Sequence, residues 1–290
     1  MSDSTQGITY WRNRPRFHWI AVWLLLAAGS IASVSGERAD EPGKLVASQV
    51  GTLPVILSAP HGGQDAIPGV PPRKGEGLKP GPSGFRAGRD TNTEQLALEV
   101  ASAVETRLGR KPYYVVAKFH RKFVDANRPA HIAYEDARAG LVYDAYHQAL
   151  VRFCEAVRKE FGYGLVLDLH GQGSAPDTVF RGTQNGKTDR ALALLFGEEV
   201  HAGPASFCGL LAAQGITVQP TDTSRETSGY AGGYIVQTCG AREGIGAVQL
   251  EFGADLRKTD NLKATAAGIA DAIVGFLKRY RIGAGPGQTR

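Results

Sequence analysis

Short apolar strands alternate with amphipathic helices along almost the whole chain, and this pattern constrains the fold more than any other feature. Lys44–Val50, Leu53–Pro60 and Tyr113–Phe119 carry the β-branched and aromatic residues of strands. Gly164–Leu167 is fully apolar, as a strand covered on both faces must be. Ile216–Gln219, Tyr234–Thr238 and Gly246–Phe252 also read as strands. Between them, Leu96, Val100, Val104 and Leu108 recur at helical spacing, as do Val142, Tyr146, Ala149, Phe153 and Val157. Asp189–Val200 and Ala205–Gln214 are expected helices, and Leu262, Ala266, Ile269, Ile273 and Leu277 mark a long last one. Such alternation predicts one α/β domain, a three-layer α/β/α arrangement around a mostly parallel, mixed central sheet. Thr91-Asn92-Thr93-Glu94 reads as a capping box opening a helix over 92–109. Residues 64–89 hold six glycines and five prolines and are expected to form a long binding loop, mobile without ligand.

The ends of the chain read differently. Arg12, Arg14 and Arg16 precede an apolar run from Trp19 to Val34, and small residues follow. That order predicts a signal peptide over 1–36, a domain over 37–283 and a disordered tail over 284–290. The sixteen-residue run is shorter than the ~20 residues of a membrane span. An exported protein, periplasmic or secreted, is therefore expected, with no stable membrane insertion after processing; an N-terminal membrane anchor is the alternative. Net charge is +5, but Lys and Arg are scattered, so no nucleic-acid partner is expected. Of the three cysteines, Cys154 reads as a buried thiol, and Cys208–Cys239 is the only pairing considered.

Ligands of open α/β sheets bind beyond the C-terminal strand ends. His61, the Asn127-Arg128 pair, His170 and Glu251 all follow apolar strands there. In Asp168-Leu169-His170, strand alternation puts the carboxylate beside the imidazole, able to orient it. Two imidazoles, one carboxylate and an open position make a catalytic zinc site. Asp90, just before a helix, is the favoured third ligand; Asp65 and Glu94 are alternatives. Glu251, ending an apolar strand, suits a general base. Arg128 offers a planar fork to a substrate carboxylate and Asn127 an amide donor. The bland readings are an Arg128 ion pair with Asp125 or Asp136, and a Glu251 ion pair with Arg257.

Ala59-Pro60-His61-Gly62-Gly63, Val124-Asp125-Ala126-Asn127-Arg128, Asp168-Leu169-His170-Gly171 and Val248-Gln249-Leu250-Glu251 together resemble the N-formylglutamate amidohydrolase family, whose fold is similar to that of zinc carboxypeptidases. The resemblance implies His61 and His170 as metal ligands, Asn127 and Arg128 as carboxylate binders, Glu251 as base and Arg121 as a candidate oxyanion stabiliser. Gln64 stands where carboxypeptidases have a glutamate ligand. His147 sits where the family also has a Tyr-His pair, and its mid-helix position favours a structural role. The implied function is zinc-dependent hydrolysis of the amide of an N-acyl amino acid, N-formylglutamate-like, that carries a free carboxylate. An exported carboxypeptidase or γ-glutamyl or cell-wall peptide hydrolase is one alternative. A non-catalytic carboxylate-binding protein of the same fold is the other. A small molecule or short peptide bearing a carboxylate is the expected partner.

Overall fold

The computed structural model describes residues 42–78 and 84–282. The expected signal peptide, over 1–36, and tail, over 284–290, lie outside the described residues. Strands β1 (Val46–Gln49), β2 (Val55–Ala59), β3 (Tyr113–Ala117), β4 (Gly164–Gly171), β5 (Thr178–Gly182), β6 (Thr217–Gln219) and β7 (Ile245–Phe252) form one sheet in the order β1-β3-β2-β4-β7-β5-β6. The pairs β2/β3, β2/β4, β4/β7 and β5/β6 are parallel; β1 on β3 and β5 on β7 are antiparallel. The expected mixed, mostly parallel α/β sheet is what the chain forms.

Strand alternation sorts the core into two layers. Val55, Leu57, Leu165, Leu167, Val248 and Leu250 face helices α1 (Thr93–Leu108), α4 (Arg190–Phe196), α5 (Phe207–Ala212) and α7 (Thr259–Arg279). Ile56, Val166, Ile245 and Ala247 face α3 (Gly140–Phe161) and α6 (Tyr234–Gly240). A short α2 spans Ala130–Ala133. Asp168, His170, Gln249 and Glu251 continue the second set by period two, so they project on the α3/α6 side. Cys208 belongs to the first layer, Cys154 and Cys239 to the second. The sheet therefore separates Cys208 from Cys239, and all three thiols are buried and unbridged.

Three expectations change. Tyr234–Thr238 is helical, not a strand. Its β-branched residues read as strand by propensity, but the backbone N–H of Gly233 and Ile235 donate to Gln249 Oε1 (2.7 Å) and Asn127 Oδ1 (2.8 Å), which satisfies the helix start. β5 is additional; its buried Arg181 masked the strand pattern. No capping box forms: Asn92 takes a left-handed conformation at φ 66° and its amide donates to the Arg257 carbonyl, while Thr93 Oγ1 bonds the Asp90 carbonyl. Residues 64–78 are irregular yet tied down. Asp65 N–H bonds the Lys118 carbonyl, Arg73 N–H that of Lys122, and Lys74 N–H the carboxylate of Glu135.

Candidate active site and metal centre

His61 leaves the end of β2, and the two glycines behind it serve protein packing. A Cβ on Gly62 would lie 2.2 Å from the Glu94 nitrogen, and one on Gly63 2.3 Å from the Lys118 carbonyl. The glycines thus let this turn press against the start of α1 and the segment after β3, and Asp90 N–H donates to the His61 carbonyl (2.9 Å). Asp90 is thereby held outside the helix, facing the two histidines. Its Oδ2 lies 3.3 Å from His61 Nδ1 and 3.2 Å from His170 Nδ1, and it also accepts from Gly171 N–H (3.1 Å). Donor atoms of His61, Asp90 and His170 all fall within 4.8 Å of one another, and all three residues are buried. Asp65 is exposed and outside the cluster, as is Gln64; Glu94 packs against the Gly62 backbone.

Each imidazole is backed by a carboxylate. His61 Nε2 meets Asp125 Oδ1 at 2.7 Å, and His170 Nε2 meets Asp168 Oδ2 at 2.8 Å. With Nε2 of each ring held by a carboxylate, Nδ1 is the nitrogen that faces Asp90: it can donate to that carboxylate when protonated, and loss of that proton would free it for a zinc ion. Asp168 lies beside His170 as the alternation of β4 requires. Asp125 was legible only as a partner for Arg128, although it lies in the quoted Asp-Ala-Asn-Arg run. Burial opposes the charge of Asp125, but His61 and Arg121 hold its carboxyl well below the usual range. Burial likewise opposes the charge of Asp90, and hydrogen bonds from His170 and His61 hold it well down. For His170 burial opposes protonation, yet Asp168, Asp90 and Glu251 carry its pKa well above that of a free imidazole. Asp125→Asn is expected to lower metal affinity or activity by ~10- to 100-fold with the fold retained, since His61 loses its orienting partner. Metal titration of the folded variant checks this.

Glu251 is 8% exposed at the end of β7, opposite His170 in the parallel register. Gln249, two residues earlier on the same face, donates to its Oε1 (2.8 Å). Burial, above all, pushes the carboxyl up to about 7; His170 and Arg121 pull down, and Asp90 and Asp168 add to the rise. Arg257 does not neutralise it: that guanidinium bonds the carbonyls of Phe252, Thr91 and Gln172.

Arg121 and Arg128, both in the cavity wall, do different things. Arg121 donates Nε and Nη2 to Asp125 Oδ2 (3.0 and 2.8 Å), and its Nη1 is 3.8 Å from Asp90. Among the described residues Arg128 makes no ion pair; its guanidinium donates to the Asn127 carbonyl, and burial lowers its pKa against the opposing pull of the Asp125 charge. Neither expected partner makes a direct ion pair with it: Asp125 contacts His61 and Arg121, although its charge still acts on Arg128, and Asp136 pairs with Arg138. Asn127 departs from its expected role as a free amide donor. Its amide lies 3.2 Å from both His170 Nε2 and Gln249 Oε1, and its carbonyl takes the Ile235 N–H. His147 bonds the Ala126 carbonyl (3.0 Å) and packs on Tyr143 and Tyr234, the structural role anticipated. A cavity of about 580 Å³ opens over the cluster, lined also by Arg86, Arg89, Gln184 and Ser228–Gly233, none of which stood out in the sequence. Their signal is a glycine-rich run and loop arginines, which resemble any exposed turn.

Comparison with known proteins now adds to the geometry. Residues 130–257 match the N-formylglutamate amidohydrolase family. The matched stretch contains His170 and Glu251; His61, Asp90, Asp125 and Arg128 precede it. Among solved structures, the chain is similar to the N-formylglutamate amidohydrolase from Ralstonia eutropha JMP134, at 17% identity and a TM-score of 0.53, covering 82% of this chain and 98% of that one. It is also similar to a gene product of Agrobacterium tumefaciens, at 16% identity and a TM-score of 0.51, covering 82% and 96%. At these identities the likeness is one of fold. No curated protein matches the chain. The family match and the fold together fit a hydrolase of amide bonds.

Proposed function

We propose that the protein hydrolyses the amide bond of an N-acyl amino acid carrying a free carboxylate, an N-formylglutamate-like compound, at a zinc centre held by His61, Asp90 and His170. The observation that carries the reading is the convergence of those three donors beside a buried carboxyl raised toward neutrality. The donor set fits zinc: two imidazoles whose outer nitrogens are fixed by carboxylates, and one carboxylate. Zinc bound there would supply Lewis acidity and a water of lowered pKa.

The chain's own residues supply the rest. Glu251, ionised, takes a proton from the attacking water and returns it to the leaving amine. Its buried site makes both states accessible near pH 7. Arg128 binds the substrate carboxylate as a two-pronged donor, and a guanidinium in the cavity wall without a direct ion pair among the described residues supports that role. Arg121 holds Asp125, and thereby His61, and its position 3.8 Å from Asp90 keeps it within the site as a candidate for oxyanion charge.

The test is metal analysis with a screen of N-acyl amino acids and short peptides. Hydrolysis of N-formyl-L-glutamate above di- and tripeptides supports the reading; peptide cleavage alone would replace it with a peptidase. Arg128→Lys is expected to raise KM for carboxylate substrates by ~10-fold or more with little change in kcat, because lysine keeps the charge but loses the fork. Steady-state kinetics on free and amidated substrates check it: equal loss on both would remove Arg128 from carboxylate binding. Export is part of the proposal, supported by the Arg12–Arg16 cluster and the apolar run after it. N-terminal sequencing of the exported protein is expected to begin near Glu37. Among the described residues no helix is long and apolar enough to cross a membrane.

A further inference from the structure

Glu226 lies far from the metal-binding cluster in role, yet it is the only buried residue of the irregular segment 221–230. It is 4% exposed, and its carboxylate is fully engaged. It accepts from Arg181 Nε (3.1 Å), Thr183 N–H (2.8 Å), Thr183 Oγ1 (2.5 Å) and Asn185 N–H (2.9 Å). Gln184 and Asn185 both take left-handed conformations, at φ 54° and 55°. Non-glycine residues seldom adopt these, and here the turn aims the N–H groups of Thr183 and Asn185, with the Gln184 N–H between them turned away, into a small nest around one anion. Here the anion is an internal carboxylate. Arg181, itself 1% exposed, completes its neutralisation from β5.

The same turn reaches the cavity. Gln184 N–H bonds the Ala231 carbonyl (2.6 Å), and its side-chain amide bonds the Gly232 carbonyl. Gln184 and Ser228–Gly233 all line the cavity. Gly233 N–H is tied to Gln249, the residue that also holds Glu251. One carboxylate therefore fixes both the turn 183–186 and the wall segment that follows it in the chain. We propose that Glu226 is a positioning residue for substrate binding, setting the Ser228–Gly233 wall through the Thr183–Asn185 nest. The inference rests on the reading of this cavity as the substrate site.

The test is Glu226→Gln, which keeps the volume and removes the charge that the nest and Arg181 require. Hydrogen exchange over 183–186 and 228–233 is expected to quicken by ~10-fold or more, with exchange over β4 and β7 unchanged. Binding of L-glutamate, measured calorimetrically, is expected to weaken ~10-fold, and KM to rise by a similar factor while kcat and metal content hold. Glu226→Asp is expected to recover part of the loss. Should the lone charge of Arg181 prevent folding, the double variant R181M/E226L removes both charges. It is expected to fold and still to show fast exchange in the wall and weakened binding. Unchanged exchange in the wall, or unchanged binding and KM in a folded variant, overturns the proposal. Wild-type protein that binds L-glutamate but hydrolyses no N-acyl amino acid would instead sink the hydrolase reading and leave this one standing.

Discussion

Glu251→Gln is expected to keep its metal and lose ~100- to 10,000-fold in turnover, the usual cost of removing a general base, or about 3–5 kcal/mol of barrier. Gln nearly preserves the volume, and Gln249 can still bond it, so the fold should be spared. The pH profile gives a second readout. Only the carboxylate accepts a proton, and burial holds the group up to about 7, so wild-type kcat/KM should fall as pH drops through the acid side of neutrality. A cation in the adjacent cluster would pull that limb below 7, since an opposite charge favours the carboxylate. The variant should lack the limb. Stability follows with its own sign. A raised folded-state pKa favours the protonated form, so this group's contribution is present below about pH 4 and lost as pH rises toward 7. Metal-free Glu251→Gln should therefore gain in Tm relative to wild type across that interval. If the variant releases its metal, Glu251 is a ligand. If it turns over normally, the base lies elsewhere.

His170→Ala is expected to abolish metal binding and activity together. Two remaining donors cannot hold a catalytic zinc well. The loss should extend to stability, because Asp90 and Asp168 both lose a hydrogen-bonded partner in a buried site. Breaking a buried charge pair typically costs ~3–5 kcal/mol. Metal content and thermal melting, measured on the same preparation, separate the two effects. A variant that melts lower but keeps stoichiometric zinc would remove His170 from the metal centre.

Much of this site was legible because strand ends expose chemistry at fixed places. His170 and Glu251 are each the last residue but one of an eight-residue buried strand that starts apolar, and alternation alone paired His170 with Asp168. Asp90 stood out for its place before a helix, although the capping box that seemed to follow it does not form. What the sequence concealed depends on contacts distant in the chain. Asp125 reaches His61 across 64 residues, and Arg121 takes the Asp125 carboxylate that the sequence offered to Arg128. The helix at Tyr234–Gly240 overrode its β-branched composition because Asn127 and Gln249 satisfy its first N–H groups. β5 was hidden by a buried arginine whose partner lies 45 residues away. In each case a tertiary partner reversed the local preference, and local preference is all that periodicity records.

The most direct test of the central claim is zinc titration into chelator-treated protein, with hydrolysis of N-formyl-L-glutamate followed alongside. One zinc per chain is expected to restore hydrolysis in proportion to occupancy, and Asp90→Asn, which keeps the shape but weakens the third donor, is expected to need far more zinc for the same rate. Metal-free protein that hydrolyses the substrate at full rate, or an Asp90→Asn titration that overlies the wild type, would contradict the His61–Asp90–His170 centre.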